Sequence, residues 1–471
     1  AAGALKRNEA AREAASFFGE TARVARATSS ASLPWSMTHC RSAAGMSRKT
    51  FMKRHLLVFA LLGSVQSSGH AQSKLELYGI VDAGVTRVSG VKGGSVTQLS
   101  SGIMEGSRIG LRANEDLGNG YRAIFTLENR LETDTGDISN RPPSRGQLPD
   151  RATFARHLLP SLSAAQQSAL QPLLNQVSAG IGTRVGINVH AAGPNFFDRQ
   201  IYVGLVTPVG AVLAGRMYTP GYELAGTFDA LSAQSSLSSG QIAAVPYAID
   251  IRSSNALAYR LQQGPWTASM MYGFDEKTTE TGRFAGVLGM YRSDAFGLGV
   301  AYNNRRNEKG QQSLTSLVFG AYLNLGAGQF YASAASIRDG HPSAVSGIAA
   351  PITPLIGPAL AALVQAGYTD ALKQDAKLYH LGYKHVSGPS TVYVAGNLYD
   401  DSKAANADVA SFGVAYSYAL SKRTDLSAIA TRFNNTGLGQ AAPGGGGYLG
   451  GVTSHAGRDS TSLALGLRHR F

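Results

Sequence analysis

From Lys74 to the end of the chain, large apolar side chains recur at every second position. Leu75, Leu77, Val81, Ala83 and Val85 do so at the start, and Leu317, Phe319, Ala321, Leu323 and Leu325 near the middle. The same beat returns at Tyr379, Leu381 and Tyr383, and again at Phe412, Val414, Tyr416, Tyr418 and Leu420, where Gly413, Ala415, Ser417 and Ala419 lie between. A period of two gives each segment one apolar face and one small or polar face, which is the pattern of a β-strand between two environments. Sixteen such strands are predicted, near 74–88, 105–113, 120–133, 198–207, 210–218, 250–261, 265–274, 283–293, 296–305, 314–324, 328–338, 375–386, 390–400, 408–419, 423–433 and 459–471.

The connections alternate in length. Short turns at 114–119, 207–210, 262–264, 294–295, 326–328, 387–389 and 420–422 are interleaved with long loops, notably 134–197, 219–249, 339–374 and 434–458. A soluble barrel would show the same zigzag but has no reason to gather its loop length at one end, as bacterial outer-membrane barrels do. The fold class expected is therefore all-β, a transmembrane 16-stranded antiparallel β-barrel. In lipid no strand edge can stay unpaired, so the sheet must close. Sixteen strands enclose more space than side chains fill, which leaves a water channel with polar residues inward and apolar residues outward. Aromatic residues near strand ends, Tyr379, Tyr383, Phe412, Tyr416, Tyr418 and Phe471, suit the interfacial girdles of such a wall.

Composition supports many short strands. The 471 residues include 56 Gly and 20 Tyr, and only 15% are charged. That is too apolar for disorder and too poor in helix-forming runs for a bundle. A soluble chain this long would split into two or three domains, yet nothing marks a boundary between cores.

Residues 46–71 read as a secretory signal: Met46, then Arg48, Lys49, Lys53 and Arg54, an apolar run from Leu56 to Gly63, and Gly69-His70-Ala71 as a small-residue cleavage site. The apolar run is too short to cross ~30 Å of hydrocarbon as a helix. Residues 1–45 would precede that signal and read as an extension from a start codon placed too early, so the barrel is expected within 72–471. The one cysteine, Cys40, lies before the signal, which excludes disulfides and thiolate chemistry from the remainder. The net charge of +13 falls to +6 without residues 1–71, which hold 10 Lys+Arg and 3 Asp+Glu. No run of more than two basic residues follows, so the charge describes a pore wall rather than a nucleic-acid patch.

Two loops carry other patterns. In 159–177, Leu162, Ala165, Ala169, Leu173 and Val177 have helical spacing. In 348–366 the chain is apolar enough to imitate a spanning helix, but Pro351, Pro354 and Pro358 predict a compact, partly helical external loop.

Catalytic signatures are missing. There is no H-E-x-x-H, G-x-S-x-G or P-loop. The Gly-rich run 443–451 precedes a strand rather than a helix, and His341, His380, His385, His455 and His469 have no metal-ligand spacing. No enzyme, cofactor or metal site is expected. The charges that stand out surround the loop 219–249, which contains Glu223 and Asp229, and Asp250 directly after it, but no basic residue. Arg199 and Arg216 flank it on the preceding hairpin.

These segments resemble the general-diffusion porins of Gram-negative outer membranes, the trimeric sixteen-stranded kind whose third external loop folds into the barrel. The runs that carry the resemblance are S-R-I-G-L-R at Ser107–Arg112, E-D-L-G-N-G-Y at Glu115–Tyr121, R-x-x-Y-V-G-L from Arg199, G-R-x-Y at Gly215–Tyr218, Tyr222-Glu223 with Asp229, and the final Phe471. The resemblance implies a constriction loop at about 219–249. Arg108, Arg199, Arg216 and Arg252 would be the strand arginines of the constriction, Glu223 and Asp229 the opposing loop acids, and Tyr218 an aromatic neighbour. Opposed charges would set a transverse field across a narrow water path. With basic groups in excess, passive diffusion of ions and small hydrophilic solutes with a weak anion preference is expected. The resemblance further implies a homotrimer in the outer membrane among its lipids and lipopolysaccharide, with Phe471 read by the assembly machinery. The loop lacks the family's Pro-Glu-Phe-Gly-Gly turn, and the inserts 134–197 and 339–374 exceed the usual length. A structural barrel or adhesin acting through those loops is the second reading.

Overall fold

The computed structural model describes residues 74–136, 148–182, 196–242, 248–275, 282–343, 345–444 and 451–471. The expected signal and the extension before it lie outside the described residues.

The wall consists of β1 (Lys74–Val91), β2 (Gly94–Ser101), β3 (Arg108–Gly118), β4 (Tyr121–Arg130), β5 (Gln200–Thr207), β6 (Gly210–Tyr218), β7 (Arg252–Gln263), β8 (Trp266–Gly273), β9 (Phe284–Arg292), β10 (Phe296–Arg306), β11 (Gln312–Leu325), β12 (Gly328–Asp339), β13 (Gln374–Ser387), β14 (Ser390–Asp401), β15 (Val409–Ala419) and β16 (Thr424–Asn435). Two short segments, β17 (Ala441–Ala442) and β18 (Gly451–Val452), form a ribbon outside the wall, and β19 (Ser460–Arg470) completes it. Every neighbouring pair is antiparallel, and β19 closes the ring on β1 in the register Ile80↔Arg470 to Val88↔Ser462. Along its other edge, β1 pairs with β3 over Lys74–Ile80 and with β2 over Ala83–Val91. β2 and β3 thus lie end to end, and the described segments make sixteen staves.

The break between β2 and β3 differs from the strand expected at 105–113. The run Ser95–Ser101 offers only two apolar residues, Val96 and Leu99, three positions apart rather than two, and reads as loop, yet it continues the stave. The Asp82 carboxylate makes the interruption tolerable, because it accepts the amides of Ile103 at 3.0 Å and of Met104 and Glu105 at 2.8 Å. The turn expected over 114–119 shrinks to Asn119-Gly120, with both residues at positive φ. Asn-Gly suits a two-residue hairpin, so β3 runs on to Gly118.

Side-chain parity defines the two faces. Leu381 is 69% exposed and Leu465 66%, and Leu75, Val300, Phe319 and Phe412 share that outward side. So much contiguous apolar surface would be unstable in water and suits a lipid-facing band. The opposite parity holds small and polar residues such as Asn303, Ser316, His380 and Asn397.

Two sets of helices lie off the wall. Helices α1 (Ala155–Leu158), α2 (Ala164–Gly182), α4 (Ala349–Ile356) and α5 (Pro358–Leu372) come from the two long inserts, and α3 (Pro220–Thr227) from the loop after β6. The inserts share one apolar core, with Leu158, Leu174 and Ile181 from one against Ile352, Val364 and Tyr368 from the other. The proline-rich stretch breaks as its residues dictate, with Gly357 between α4 and α5 and Pro358 opening α5.

Candidate functional site

Helix α3 begins where the sequence puts a cap. The Thr219 hydroxyl accepts the Tyr222 amide at 3.3 Å, and Pro220 follows at the first helical position. Leu224 and Phe228 then pack against Leu288, Met290, Ala301 and Val318, residues of β9 to β11 with inward parity. Gly299 and Gly320 make room for them: a Cβ on Gly299 would meet Leu224 within 2.4 Å, and one on Gly320 would meet Phe228 at the same distance.

Polar anchors hold the same segment. Glu223 pairs with Arg260 of β7 at 2.6 Å through both carboxylate oxygens. Asp250 meets Arg305 of β10 at 2.8 Å, and the Gly221 amide donates to Asn303 Oδ1 at 3.0 Å. Farther along, the Ala230 amide donates to His380 Nε2 at 3.3 Å, which leaves His380 Nδ1 to donate to Asn397 Oδ1 at 2.7 Å.

Three of the four expected arginines converge. Arg199 lies 2.8 Å from Glu128 of β4 and donates to the Tyr218 hydroxyl at 2.7 Å. Arg108 is 3.9 Å from the same carboxylate and also pairs with Glu105. Arg252 donates to Tyr218 at 3.3 Å and lies 4.8 Å over its ring. Tyr218 stacks on Tyr222 of α3 at 5.1 Å, so this group borders the loop helix. Arg199 is only 2% exposed and is a fixed part of the wall, whereas Arg252 is half-buried and keeps an accessible side. The fourth arginine, Arg216, is held elsewhere: it donates to the Asp198 carbonyl and to Ser254 Oγ, each at 2.7 Å.

The loop acids do not oppose these arginines as expected. Asp229 is 1% exposed and accepts the Leu231 amide at 2.8 Å and the Ser239 amide at 3.1 Å, with His380 3.8 Å away. A buried turn needs acceptors for its backbone donors, and this carboxylate meets that need. Glu223 faces Arg260, which parity alone did not single out.

The carboxylates beside the arginines come from the wall. Glu128 is one. Glu105 and Asp425 form another set with Arg468 and Arg470, at 3.3 Å for Arg468–Glu105 and 3.0 Å for Arg470–Asp425. The alternation in β19 places Arg468 and Arg470 opposite Leu465 and Leu467, but no local pattern identifies their partners. Phe471 exchanges backbone hydrogen bonds with Gly79 at 3.1 Å, so the terminal residue takes part in closing the ring. Among the described residues no group of His, Cys, Asp and Glu has the geometry of a metal site.

Comparison with known proteins agrees with this architecture. The Gram-negative porin family matches residues 58–438. Outer membrane porin protein 32 of Delftia acidovorans is 26% identical over 441 residues, covering 89% of this chain and 100% of the relative. The solved anion-selective porin of Comamonas acidovorans superposes with a TM-score of 0.60 at 23% identity, covering 85% of this chain and 100% of that one. The trimer form of OmpT from Vibrio cholerae does so with a TM-score of 0.51 at 12% identity, over 85% and 99% of the two chains. With a closed sixteen-stave ring, an outward apolar band and a match over most of its length, the chain belongs to the Gram-negative porin family, channel-forming β-barrels of the outer membrane.

Proposed function

We propose that the channel passes ions and small hydrophilic solutes with a weak preference for anions, and that its narrowest section is bordered by the Tyr218 cluster together with helix α3, against which Tyr218 stacks. One observation carries this reading: Arg108, Arg199 and Arg252 surround the single carboxylate Glu128 and the neutral Tyr218. Adding the adjacent set, Arg108, Arg199, Arg252, Arg468 and Arg470 stand against Glu105, Glu128 and Asp425, an excess of positive charge. In a channel with low-dielectric walls such an excess concentrates anions and repels cations. The anion selectivity of the Comamonas relative supports the same sign. Arg216 belongs to the neighbourhood of this section, and Glu223 and Asp229 act in it by holding the loop.

The trimeric form of the Vibrio cholerae relative supports a homotrimer here. We assign Phe471 a role in assembly, since it is aromatic and its backbone pairs with Gly79 of β1. Planar-bilayer recordings test the whole reading. Three equal conductance steps per insertion and a reversal potential of anionic sign in a KCl gradient are expected. A cationic sign would refute the selectivity, and absent steps with intact folding would favour a structural barrel or adhesin acting through its helical external loops.

A further inference from the structure

Between the inward-folded loop and the short turns, the lumen wall carries three tyrosines that the passage of small inorganic ions does not use. Tyr322 of β11, Tyr331 of β12 and Tyr393 of β14 share the inward parity of Val318, Ile337 and Asn397 on their own strands, and each is half-buried. Tyr322 and Tyr331 stand opposite each other in register, with ring centroids 6.4 Å apart. Phe228 of the loop lies 5.8 Å from Tyr322, whose hydroxyl donates to the Ser293 carbonyl at 2.8 Å, so that ring is fixed as part of the loop's seat.

The space between Tyr331 and Tyr393 is different. The strand between theirs, β13, presents Gly382 opposite Tyr331, so no wall side chain separates the two rings, which stand two strand spacings or ~10 Å apart. On the His380 side the loop closes this space, since a Cβ on Gly382 would meet the Ala230 Cβ at 2.7 Å. At the other end stands Lys384, the next inward residue of β13 and the register partner of Tyr393. Its ammonium lies 5.8 Å over the Tyr393 ring, and among the described residues it forms no ion pair. Arg468 and Arg470 are near enough for their charges to act on Tyr393, which keeps this corner of the lumen positive.

We propose that this corner is a subsite for aromatic carboxylates on their way through the channel. The ligand ring would lie against Tyr331 and Tyr393, and its carboxylate on the Lys384 ammonium. Aromatic faces attract a flat ring beyond the area it buries, and an ammonium without an acid partner attracts a carboxylate. An aliphatic anion can use only the second attraction. The proposal deepens the porin reading and rests on the lumen being open to water.

The test uses the full protein in deuterated detergent and saturation-transfer NMR, with benzoate and cyclohexanecarboxylate as separate probes of equal charge and similar size. The wild type should bind benzoate about fivefold more tightly, as one ring stacked on another implies. Tyr393→Leu should bring the two affinities together, and Tyr393→Phe should keep them apart. Lys384→Gln should weaken both probes by about threefold, as for a solvated charge pair. Heat-modifiable migration reports whether each variant is folded, and if Tyr393→Leu fails there, Tyr331→Leu carries the same expectation. Equal wild-type affinities, a benzoate preference that survives the leucine variant, or unchanged affinities in Lys384→Gln would each overturn the subsite. Single-channel currents in KCl separate this from the porin reading. No current with variant-sensitive benzoate binding would fail the porin reading alone, and current without a benzoate preference would fail the subsite alone.

Discussion

Glu223 of the loop helix and Arg260 of the wall meet through two contacts of 2.6 Å, so the loop is clasped to the barrel by a bidentate ion pair. Both groups keep about a quarter to a third of their surface exposed, which limits the pair to roughly 1 kcal/mol. The apolar insertion of Leu224 and Phe228 therefore does most of the holding, and the pair sets the register of α3.

Glu223→Gln should leave the barrel folded and the mean conductance within about a factor of two, while open-channel current noise rises as α3 gains freedom. Noise analysis of single-channel records checks this. Phe228→Ala should act more strongly, at about 3–5 kcal/mol of local destabilisation, because it removes a fully buried ring. Quiet traces from the phenylalanine variant would show that the helix is held by something else.

Arg252→Gln should weaken the anion preference without loss of folding, since its guanidinium is half-buried and shares Tyr218 with Arg199. The reversal potential in a KCl gradient should move toward zero. Glu128→Gln is expected to behave differently. It strands the buried Arg199 beside Arg108, a change that costs about 3–5 kcal/mol where a buried pair loses one partner. Lower thermal stability of the heat-modifiable form, with any surviving channels more anion-selective, is the expected pair of results.

Asp229→Ala removes the acceptor for the Leu231 and Ser239 amides. Hydrogen bonds to a buried charged group are worth about 1.5–3 kcal/mol each, so the part of the loop beyond α3 should open. Limited proteolysis should then cut within 229–241 while the β-strands stay protected. An uncut loop would mean that His380 and Asn397 hold the turn unaided.

Tyr368→Phe probes the helical cap. Its hydroxyl lies 2.8 Å from Ser178 Oγ and donates to the Leu174 carbonyl at 2.9 Å, and burial pushes its ionisation up to about 12. Losing both bonds should cost the cap about 1–3 kcal/mol. Faster amide exchange across α2 and α5 with unaltered exchange in β10 to β16 would match that expectation. A matching loss of protection in the strands would show that cap and barrel unfold together.

How far the sequence alone reached follows from the range of each interaction. Period-two alternation is local, and a strand with one greasy face has one stable use in a closed ring, so the strands of the wall other than β2, the outward band at Leu381 or Phe412 and the alternating loop lengths were readable along the chain. A helix overlapping 159–177 was readable from its spacing, although Leu162 stands before α2 and the buried stripe is Leu170, Leu174, Val177 and Ile181; in 348–366 Pro358 marked the break, while Pro351 and Pro354 stayed within α4. Partner choice was not. Glu128 lies 71 residues from Arg199, and Glu105 lies 363 from Arg468, and nothing near either residue names the other. Only closure of β19 onto β1 brings Arg468 to Glu105, and only the seat of Phe228 against Gly320 turns Glu223 toward Arg260 and buries Asp229. The sequence by itself determined the wall, because lipid and water sort side chains by position parity. The tertiary structure decided the charge pairs, because ring closure alone sets which distant staves face one another.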